Sequence, residues 1–447
     1  MERTLIGEVG QHAGETVSVS GWVDVRRDHG KLVFLDIRDR SGKIQTVCLP
    51  NHPEAVETAQ TVRPEWVVQI DGVVNERPEK MRVEGQNGDV ELEALAITIL
   101  AQAQELPFEK DTEVNLDTYL DNLPLTLRSD RARAIFKVQA EITKAYRAFL
   151  DNEGFKEFQA PKLIGDDAEG GADVFSVPYF YDKTAHLATS PQFYKQIMVG
   201  VLERVYTIGN VYRAEKHATS RHLNEYTSMD AEFGFITDHR DIMALETRLL
   251  HALIEHLRET CAQEFEMLGA ALPNAPDAFP VLKLREAQQI LGVSEEPDLE
   301  PEHERAICEW AKKEHDSDFT FITHYPVSKR PMYTMEDSDD PGYTKSFDLL
   351  FRGVEITTGG QRRHDYENLI EGIKMKGLDP EKFSYYLQAF KYGMPPHGGW
   401  GMGLERLTQK MLGLANVKEA TLFPRDINRI DTLLSDNALH ADDTSTN

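Results

Sequence analysis

The segment VYRAEKHATSRHLNEYTSMDAEF, residues 211–233, decides the fold of this chain. It reads as a strand, a polar loop and a returning strand, with Arg213 before the loop, Arg221 within it and Tyr226 after it. Arginines can clamp a polyphosphate, and an aromatic ring can stack on a base. Asp230 on the returning strand can offer its carboxylate to an amine. The pattern therefore predicts a site that activates an amino acid with ATP, and a charged surface hairpin is the alternative.

Length and composition limit the class of protein. The 447 residues exceed one ordinary domain and predict two or three. A net charge of −26 argues against a chain that coats nucleic acid non-specifically, so an RNA partner has to meet a local basic patch. No apolar run reaches the ~18 residues of a membrane span, and the N-terminal MERTLIGEVGQHAGE lacks the pattern of a secretory signal. The isolated Cys48, Cys261 and Cys308 fit a reducing compartment, so we expect a cytoplasmic protein without a membrane partner.

Four segments of the chain differ in pattern. Residues 1–104 contain five short strand-like runs separated by turns, which is typical of a small closed barrel of the OB type. Residues 105–127 are polar and contain prolines, and we expect a linker there. Residues 128–434 begin with helical spacing over Arg131–Asp151 and continue with mixed strands and helices. Residues 435–447 are small, polar and acidic, and are expected to form a disordered tail. The fold class that we predict is α+β.

One strand of the predicted barrel carries an aromatic ring among charges. In KLVFLDIRD, the alternation places Val33, Leu35 and Ile37 on the core face, so that Phe34 lies on the outer face. An exposed ring on a barrel strand can stack on an unpaired base. On the next strand, Gln45 can offer its amide to a base edge. The alternative for Phe34 is a second small core beneath a loop.

Two further segments have a distinctive order of residues. Residues 154–162, GFKEFQAPK, join a long amphipathic helix to a strand that ends at a proline. Residues 399–412, GWGMGLERLTQKML, alternate glycine along a strand that can lie flat against a ligand. Arg406 follows at the start of a helix, where it can reach a terminal phosphate.

Two carboxylates are predicted to face one another across a hairpin. In SFDLLFRGVEITTGGQRRH, residues 346–364, Arg352 and Gly353 form a tight turn that pairs Leu350 with Glu355. Asp348 then lies one diagonal step from Glu355, within about 7–8 Å. Hard oxygen ligands beside an ATP site suit Mg²⁺, with phosphate oxygens and waters as its other ligands. The alternative is a pair of solvated acids at a sheet edge.

These segments together resemble, in order, the signature motifs of the class II aminoacyl-tRNA synthetases. Residues 154–162 resemble the first motif, residues 211–233 the second and residues 399–412 the third. The wording RAEKHATSRHLNE and the lack of a large inserted domain resemble aspartyl-tRNA synthetases of the compact archaeal type. The resemblance runs from residue 1 to about residue 430. It implies an OB-fold anticodon-binding domain, a catalytic domain with an antiparallel sheet flanked by helices, and a homodimer.

The choice of amino acid depends on two cations. Lys195 lies in SPQFYKQ, and Arg362 follows a pair of glycines in GGQRRH. A lysine and an arginine directed at one pocket suit a carboxylate, whereas a carboxamide would leave one buried cation without a partner. The resemblance implies that these residues hold the β-carboxylate of L-aspartate. Arg363 stands where an apolar residue is more common in the family.

The resemblance also implies the remaining roles in activation. Aspartate would be bound, in addition, by Glu169, Gln192 and Asp230. ATP would be bound by residues of the second and third motifs and by one hairpin acid: Arg213, Glu215, His217, Arg221, His222, Tyr226, Glu355 and Arg406. Of these, Arg213, Glu355 and Arg406 are expected to be catalytic, with Mg²⁺ at Asp348 and Glu355. The reaction implied is attack of the aspartate α-carboxylate on ATP, then attack of the 3′-hydroxyl of tRNA on the adenylate.

In the barrel, five residues match anticodon contacts of the family: Arg27, His29, Phe34, Gln45 and Pro78. Phe34 and Gln45 would engage the central uridine with help from Arg27. His29 and Pro78 resemble enzymes that charge tRNA(Asn) as well as tRNA(Asp), because they remove a cation and bulk that would discriminate the third anticodon base. The alternatives are an asparaginyl-tRNA synthetase, an asparagine synthetase built on the same catalytic fold, and a paralogue with an inactive core.

Overall fold

The computed structural model describes residues 2–109, 111–165, 173–216 and 219–434. The chain divides into two compact units, Met1–Lys110 and Asp111–Asn447. Each unit has its own buried core. The predicted α+β class is confirmed, with a small β-barrel unit and a larger mixed unit.

The N-terminal unit is a closed five-stranded barrel in the strand order β1-β2-β3-β5-β4. Its strands are β1 Thr16–Asp28, β2 Val33–Arg38, β3 Lys43–Cys48, β4 Val67–Glu76 and β5 Val90–Ala101. These are the five runs predicted from the sequence, so the OB-type barrel is confirmed. The order of the strands leaves β3 and β5 parallel and the other neighbours antiparallel.

The alternation within β2 separates the core of the barrel from its outer face. Val33, Leu35 and Ile37 are fully buried, whereas Phe34 is half-buried on the other face. A helix that the sequence patterns did not predict, α1 (Pro53–Thr61), packs on the barrel. Proline at its first position suits a helix start, because that amide needs no helical partner.

The described residues of the C-terminal unit form an eight-stranded sheet in the order β12-β13-β14-β15-β16-β11-β10-β6. Its strands are β6 Lys156–Glu157, β10 Arg204–Tyr212, β11 Glu225–Gly234, β12 Val281–Lys283, β13 Phe319–Thr323, β14 Ser346–Phe351, β15 Val354–Gln361 and β16 His397–Gly403. Neighbours from β13 to β10 are antiparallel, and the short edge strands β12 and β6 are parallel to their neighbours. A second, three-stranded sheet contains β7 Leu163–Ile164, β8 Ser176–Tyr179 and β9 Lys183–Leu187 in the order β7-β9-β8.

Helices cover both faces of the larger sheet. The helices of this unit are α2 Leu116–Asp121, α3 Leu123–Thr126, α4 Asp130–Asn152, α5 Gln192–Leu202, α6 His239–Thr260, α7 Ala262–Met267, α8 Leu284–Leu291, α9 Pro301–His315, α10 Tyr366–Met375, α11 Ser384–Lys391 and α12 Leu404–Leu412. The helix predicted at 131–151 is α4, whose first turn is capped by the hydroxyl of Ser129. The short helices α2 and α3 lie in the segment whose composition predicted a linker.

The main core lies between the sheet and the pair α4 and α6. Apolar side chains of these helices pack against Met229 and Ala231 of β11 on one face of the sheet. On that opposite face, α5 packs against β10 and β11. The even-numbered residues of β11 therefore share a face with α5, and polar side chains can meet there.

Candidate active site

A cleft of about 510 Å³ opens on the sheet face that α5 covers. Its walls come from β11, β15, β16, α5, the start of α12 and the loop that follows β10. The cleft is lined by the three predicted catalytic residues and by most of the predicted aspartate-binding and ATP-binding residues: Gln192, Lys195, Arg213, Glu215, Arg221, His222, Tyr226, Asp230, Glu355, Arg362 and Arg406. Asp348 is buried and is not among the residues that line the cleft. Glu169 and His217 lie outside the described residues.

The hairpin that decided the fold is β10 and β11. Register places Thr207 opposite Asp230, Gly209 opposite Ser228, and Val211 opposite Tyr226. Tyr226, Ser228 and Asp230 alternate along β11, so all three side chains face the cleft.

The glycines of β16 make room for acids of the neighbouring strand. Gly401 pairs with Asp230 and Gly399 pairs with Glu232. A β-carbon added at Gly401 would lie 3.0 Å from Asp230 Oδ1, and one at Gly399 would lie 2.5 Å from Glu232 Oε2. Because these glycines have no side chains, the two carboxylates can lie against β16 at the floor of the cleft. The glycines also keep the strand flat.

Four buried charges meet at the floor of the cleft. Lys195 Nζ lies 2.9 Å from Asp230 Oδ1 and 3.5 Å from Glu232 Oε2. Arg362 donates from Nε and Nη2 to Glu232 at 2.8 and 3.3 Å, and from Nη2 to the carbonyl of Gly399 at 3.0 Å. Burial opposes ionisation of Glu232, but Arg362 and Lys195 outweigh burial and lower its pKa. We name Lys195, Asp230, Glu232 and Arg362 the four-charge cluster. Glu232, the acid that orients Arg362, was not predicted from the sequence as a site residue.

A chain of hydrogen bonds holds Gln192 beside this cluster. Gln192 donates to Gln196 Oε1 at 2.9 Å, and Tyr386 donates to the same oxygen at 3.0 Å. The Gln196 amide lies 3.0 Å from His397 Nε2, and His397 Nδ1 lies 2.9 Å from the carbonyl of Pro395. Burial lowers the pKa of His397 to about 4. A neutral imidazole that donates from Nδ1 and accepts at Nε2 satisfies both contacts, so His397 orients the chain.

The other end of the cleft carries the arginines of the second and third motifs. Arg213 Nη1 lies 3.7 Å from Glu215 Oε1, and its guanidinium lies 5.9 Å from the ring centre of Tyr226. Arg221 forms an ion pair with Glu304 of α9, a residue that was not predicted from the sequence. Arg406 donates to the carbonyl of Glu355 at 3.2 Å. The arginines are therefore held by protein acceptors around an open space.

Glu405 fixes the strand that carries Tyr226. Both of its carboxylate oxygens lie 3.0 Å from the backbone nitrogen of Thr227. Burial raises the pKa of Glu405 to about 7. The sequence motif predicted a role for Arg406 but none for Glu405.

The hairpin of β14 and β15 has the predicted turn. Arg352 and Gly353 both have positive φ, at 46° and 83°, and Leu350 pairs with Glu355. A bulge between Leu349 and Leu350 then places Asp348 opposite Thr358.

Asp348 already has a cationic partner within the protein. Arg330 Nη2 lies 2.7 Å from Asp348 Oδ2, and its guanidinium lies 3.8 Å from the ring centre of Tyr325. Burial raises the pKa of Asp348 to about 6, while Arg330 opposes that rise. At Glu355, burial is outweighed by Arg406 and the other neighbouring cations, and its pKa is lowered. Arg330 therefore belongs to this site, and it was not predicted from the sequence.

The donor set at this position fits Mg²⁺ shared with a nucleotide. Asp348 Oδ1 has no hydrogen-bond partner in the described ranges, and Glu355 lines the cleft. Mg²⁺ usually takes one or two carboxylates, with phosphate oxygens and waters as its other ligands. Within the part of the chain that the structure describes, no cluster of three or more His, Cys, Asp or Glu side chains could hold a metal by itself.

Arg363 has a structural explanation. It is buried, and it donates to the carbonyl of Thr334 at 3.0 Å and to Asn368 Oδ1 at 2.7 Å. It therefore ties the loop that contains Tyr333, a residue of the cleft, to the first turn of α10.

In the barrel unit, four of the five predicted anticodon residues lie together. Arg27 pairs with Phe34 in register, and it donates to Asp36 at 2.8 and 2.9 Å. Arg27 also donates to Gln45 Oε1 at 3.3 Å. The ring of His29 lies edge-on to Phe34 at 5.9 Å.

The fifth predicted anticodon residue, Pro78, is exposed in the loop after β4.

No helix among the described residues is long and apolar enough to cross a membrane.

Comparison with known proteins gives the same assignment for both units. Residues 115–427 match the family described as tRNA synthetases class II (D, K and N), and residues 17–100 match the OB-fold nucleic acid binding domain. The chain is 46% identical over 436 residues to the aspartate–tRNA(Asp/Asn) ligase of Thermus thermophilus, covering 96% of this chain and 99% of that protein. It is 40% identical to the aspartate–tRNA(Asp) ligase of Thermococcus kodakarensis, over 93% of this chain and 96% of that protein. The crystal structure of asparaginyl-tRNA synthetase from Pyrococcus horikoshii with asparaginyl-adenylate superposes with a TM-score of 0.88 at 32% identity, over 96% of this chain and 99% of that one.

Proposed function

Since the chain belongs to the class II tRNA synthetases (D, K and N), we propose that it is an aspartate–tRNA ligase that charges both tRNA(Asp) and tRNA(Asn). The observation that carries the amino acid assignment is the four-charge cluster. It contains two cations and two acids that are almost completely buried. A ligand that enters this cluster has to replace the charge partners that it displaces.

Aspartate meets that condition. Its α-ammonium takes the place of Lys195 at Asp230, and its β-carboxylate takes the place of Asp230 at Lys195. Arg362 donates hydrogen bonds from Nε and Nη2 to Glu232 and Gly399, so that Nη1 is left to bind the ligand. Asparagine would present an uncharged amide to the same two cations, leaving them with less compensation in a buried site.

The first step joins aspartate to ATP. An oxygen of the α-carboxylate attacks the α-phosphorus, and the bond from that phosphorus to pyrophosphate breaks. Arg213 compensates the charge that develops on the α-phosphate, while Arg221 and Arg406 hold the outer phosphates. Tyr226 stacks on adenine, with Glu215 at its amino edge. Mg²⁺ bound by Asp348 and Glu355 would neutralise charge on the outer phosphates.

The second step transfers the aminoacyl group. The 3′-hydroxyl of the terminal ribose attacks the carbonyl carbon of aspartyl-adenylate, the bond to the phosphate breaks, and AMP leaves. Positioning and charge compensation carry both steps, so no protein nucleophile is needed.

The barrel supplies tRNA selection in this proposal. Phe34 stacks on the central anticodon base and Gln45 reads its edge, with Arg27 as a phosphate or base contact. His29 and Pro78 leave room for either third base, which is the basis for charging two tRNAs. The assignment of residues 1–104 to anticodon binding and 128–434 to catalysis belongs to the same proposal, as does a cytoplasmic homodimer that pairs through α4 and the edge strand β6.

The test is aminoacylation of purified tRNA(Asp) and tRNA(Asn) transcripts with labelled aspartate or asparagine. We expect aspartate on both tRNAs and asparagine on neither. Lys195→Met should abolish aspartate-dependent exchange between pyrophosphate and ATP, whereas Lys313→Met, on the exposed face of α9, should not change it. Aspartate on tRNA(Asp) alone would overturn the relaxed specificity, and charging with asparagine would overturn the amino acid assignment.

A further inference from the structure

Lys162, the last residue of the segment that resembles the first motif, has no role in the proposed function. Lys162 follows Pro161 and precedes β7. A β-carbon added at Gly209 of β10 would lie 2.9 Å from Lys162 Nζ. Gly209 pairs directly with Ser228, and paired residues of neighbouring strands share a face of the sheet. Because Ser228 lines the cleft, the ammonium of Lys162 lies on the cleft side of β10, one strand away from Ser228.

This ammonium is partly removed from water, and none of the described residues forms an ion pair with it. Lys162 is partly buried, and burial lowers its pKa, with the nearby charge of Asp230 opposing that effect. Among the residues that the structure describes, no carboxylate lies within ion-pair distance of Nζ, and Asp230 is engaged by Lys195 at 2.9 Å. A partly desolvated cation is costly unless an anion arrives to pair with it. The position therefore suits a ligand that carries negative charge.

The place of Lys162 in the sheet separates it from the nucleotide groups. The order of strands is β15-β16-β11-β10, so Lys162 lies on the far side of β11 from Glu355 and Arg406. In the proposed reaction, aspartate and ATP already have cations: Lys195 and Arg362 for the β-carboxylate, and the arginines of the second and third motifs for the phosphates. The reactant whose anions have no assigned cation in the cleft is the 3′ end of tRNA. Its last phosphodiester must lie within one nucleotide of the aminoacyl carbonyl.

We propose that Lys162 binds a phosphodiester at the 3′ end of tRNA and so positions the terminal ribose for transfer. The inference rests on the proposed function, because it assumes that tRNA is the acceptor. Gly209 is part of this contact, since the absence of a side chain there allows the ammonium to lie against the strand. A single charge-assisted contact to a flexible single-stranded end acts on transfer and not on adenylate formation.

The test separates the two steps. Adenylate formation is measured by aspartate-dependent exchange between pyrophosphate and ATP without tRNA. Transfer is measured in a single turnover from the preformed adenylate complex to tRNA(Asp), at several tRNA and KCl concentrations. In Lys162→Gln, the loss in transfer should exceed any loss in exchange by roughly tenfold, as expected for one hydrogen bond to a charged group. The slope of log affinity for tRNA against log salt should become shallower by about 0.7.

Matched variants keep the inference falsifiable. Lys162→Arg should restore most of the transfer rate, and Gly209→Ala, which displaces the ammonium and retains its charge, should reduce transfer in the same direction. Lys313→Gln removes an exposed lysine of α9 and should leave both steps unchanged. Equal losses in exchange and transfer would overturn the inference by assigning Lys162 to aspartate or ATP, and unchanged transfer would overturn it as well. Absence of aspartate-dependent exchange in the unsubstituted protein would instead overturn the proposed function.

Discussion

The cleft of the catalytic unit and the outer face of the barrel both hold arginines, acids and aromatic rings, but in different environments. In the cleft, the side chains of Lys195 and Arg362 are 1% and 6% exposed, and their acids are buried with them. On the barrel, the side chains of Arg27 and Asp36 are 42% and 25% exposed. When the acid partner of a buried cation is removed, water cannot take its place. When the acid partner of an exposed cation is removed, water can. Substitution of the same residue types should therefore have large effects on activity in the cleft and moderate effects on the barrel.

The largest effect is expected from Glu232→Gln. This variant keeps the shape of the side chain but leaves Arg362 and Lys195 with one acid fewer in a buried site. Removing one partner of a buried pair costs about 3–5 kcal/mol, so kcat/KM for aspartate in pyrophosphate–ATP exchange should fall by roughly 10²–10⁴-fold. Thermal unfolding measured in parallel would show whether the variant is folded. An activity within threefold of the unsubstituted protein would contradict the role of the four-charge cluster.

The cost of burying a carboxyl group in the catalytic unit can be measured through Glu246 on α6. It is fully buried, and burial raises its pKa to about 8 from the usual 4.5. A carboxyl with a raised pKa in the folded state keeps its proton after the unfolded state has lost its own, so stability falls as pH rises from about 4.5 to about 8. At 1.36 kcal/mol per pKa unit, this loss amounts to roughly 4–5 kcal/mol above pH 8.

Glu246→Gln should remove that loss. The free energy of unfolding, measured with urea, should exceed that of the unsubstituted protein at pH 8 and approach it at pH 5. A difference that is the same at both pH values would mean that the carboxyl does not titrate in this range.

A moderate effect is expected from Phe34→Ala on the barrel. Stacking of a base on an aromatic ring is worth about 1–3 kcal/mol, so kcat/KM for tRNA(Asp) in aminoacylation should fall by roughly tenfold. Exchange without tRNA should not change, because the barrel takes no part in adenylate formation. A parallel loss in exchange would mean that Phe34 stabilises the folded protein and does not act through RNA binding.

The smallest effect is expected from Pro78→Lys. A cation in this exposed loop should reduce charging of tRNA(Asn) more than charging of tRNA(Asp), by roughly fivefold, since a single base contact is worth about 1 kcal/mol or more. The ratio of the two kcat/KM values measures the effect. Equal losses for both tRNAs would refute the role of Pro78 in reading the third anticodon base.

Local pattern was sufficient where the chain repeats with the period of a strand or a helix. The alternation of Val33, Leu35 and Ile37 predicted the core face of β2, and all three are fully buried. The turn at Arg352 and Gly353 predicted the pairing of Leu350 with Glu355, because a two-residue turn fixes the register of the hairpin.

The same reasoning did not predict α1, which has few apolar residues and is stabilised by two alanines that face the barrel. The sequence pattern also did not predict the bulge that pairs Asp348 with Thr358, since a bulge adds one residue without changing the pattern on either side.

By itself, the sequence determined the catalytic motifs, the five strands of the barrel and the cations that line the cleft. These features depend on residues close together in the chain, where strand and helix periods fix the direction of each side chain. Only the tertiary structure decided which acids hold those cations. Glu232 reaches Arg362 across 130 positions, Glu304 reaches Arg221 across 83, and Arg330 reaches Asp348 from a separate loop. The pairing of buried charges follows from the packing of distant segments, because each charge must find a partner wherever the fold excludes water.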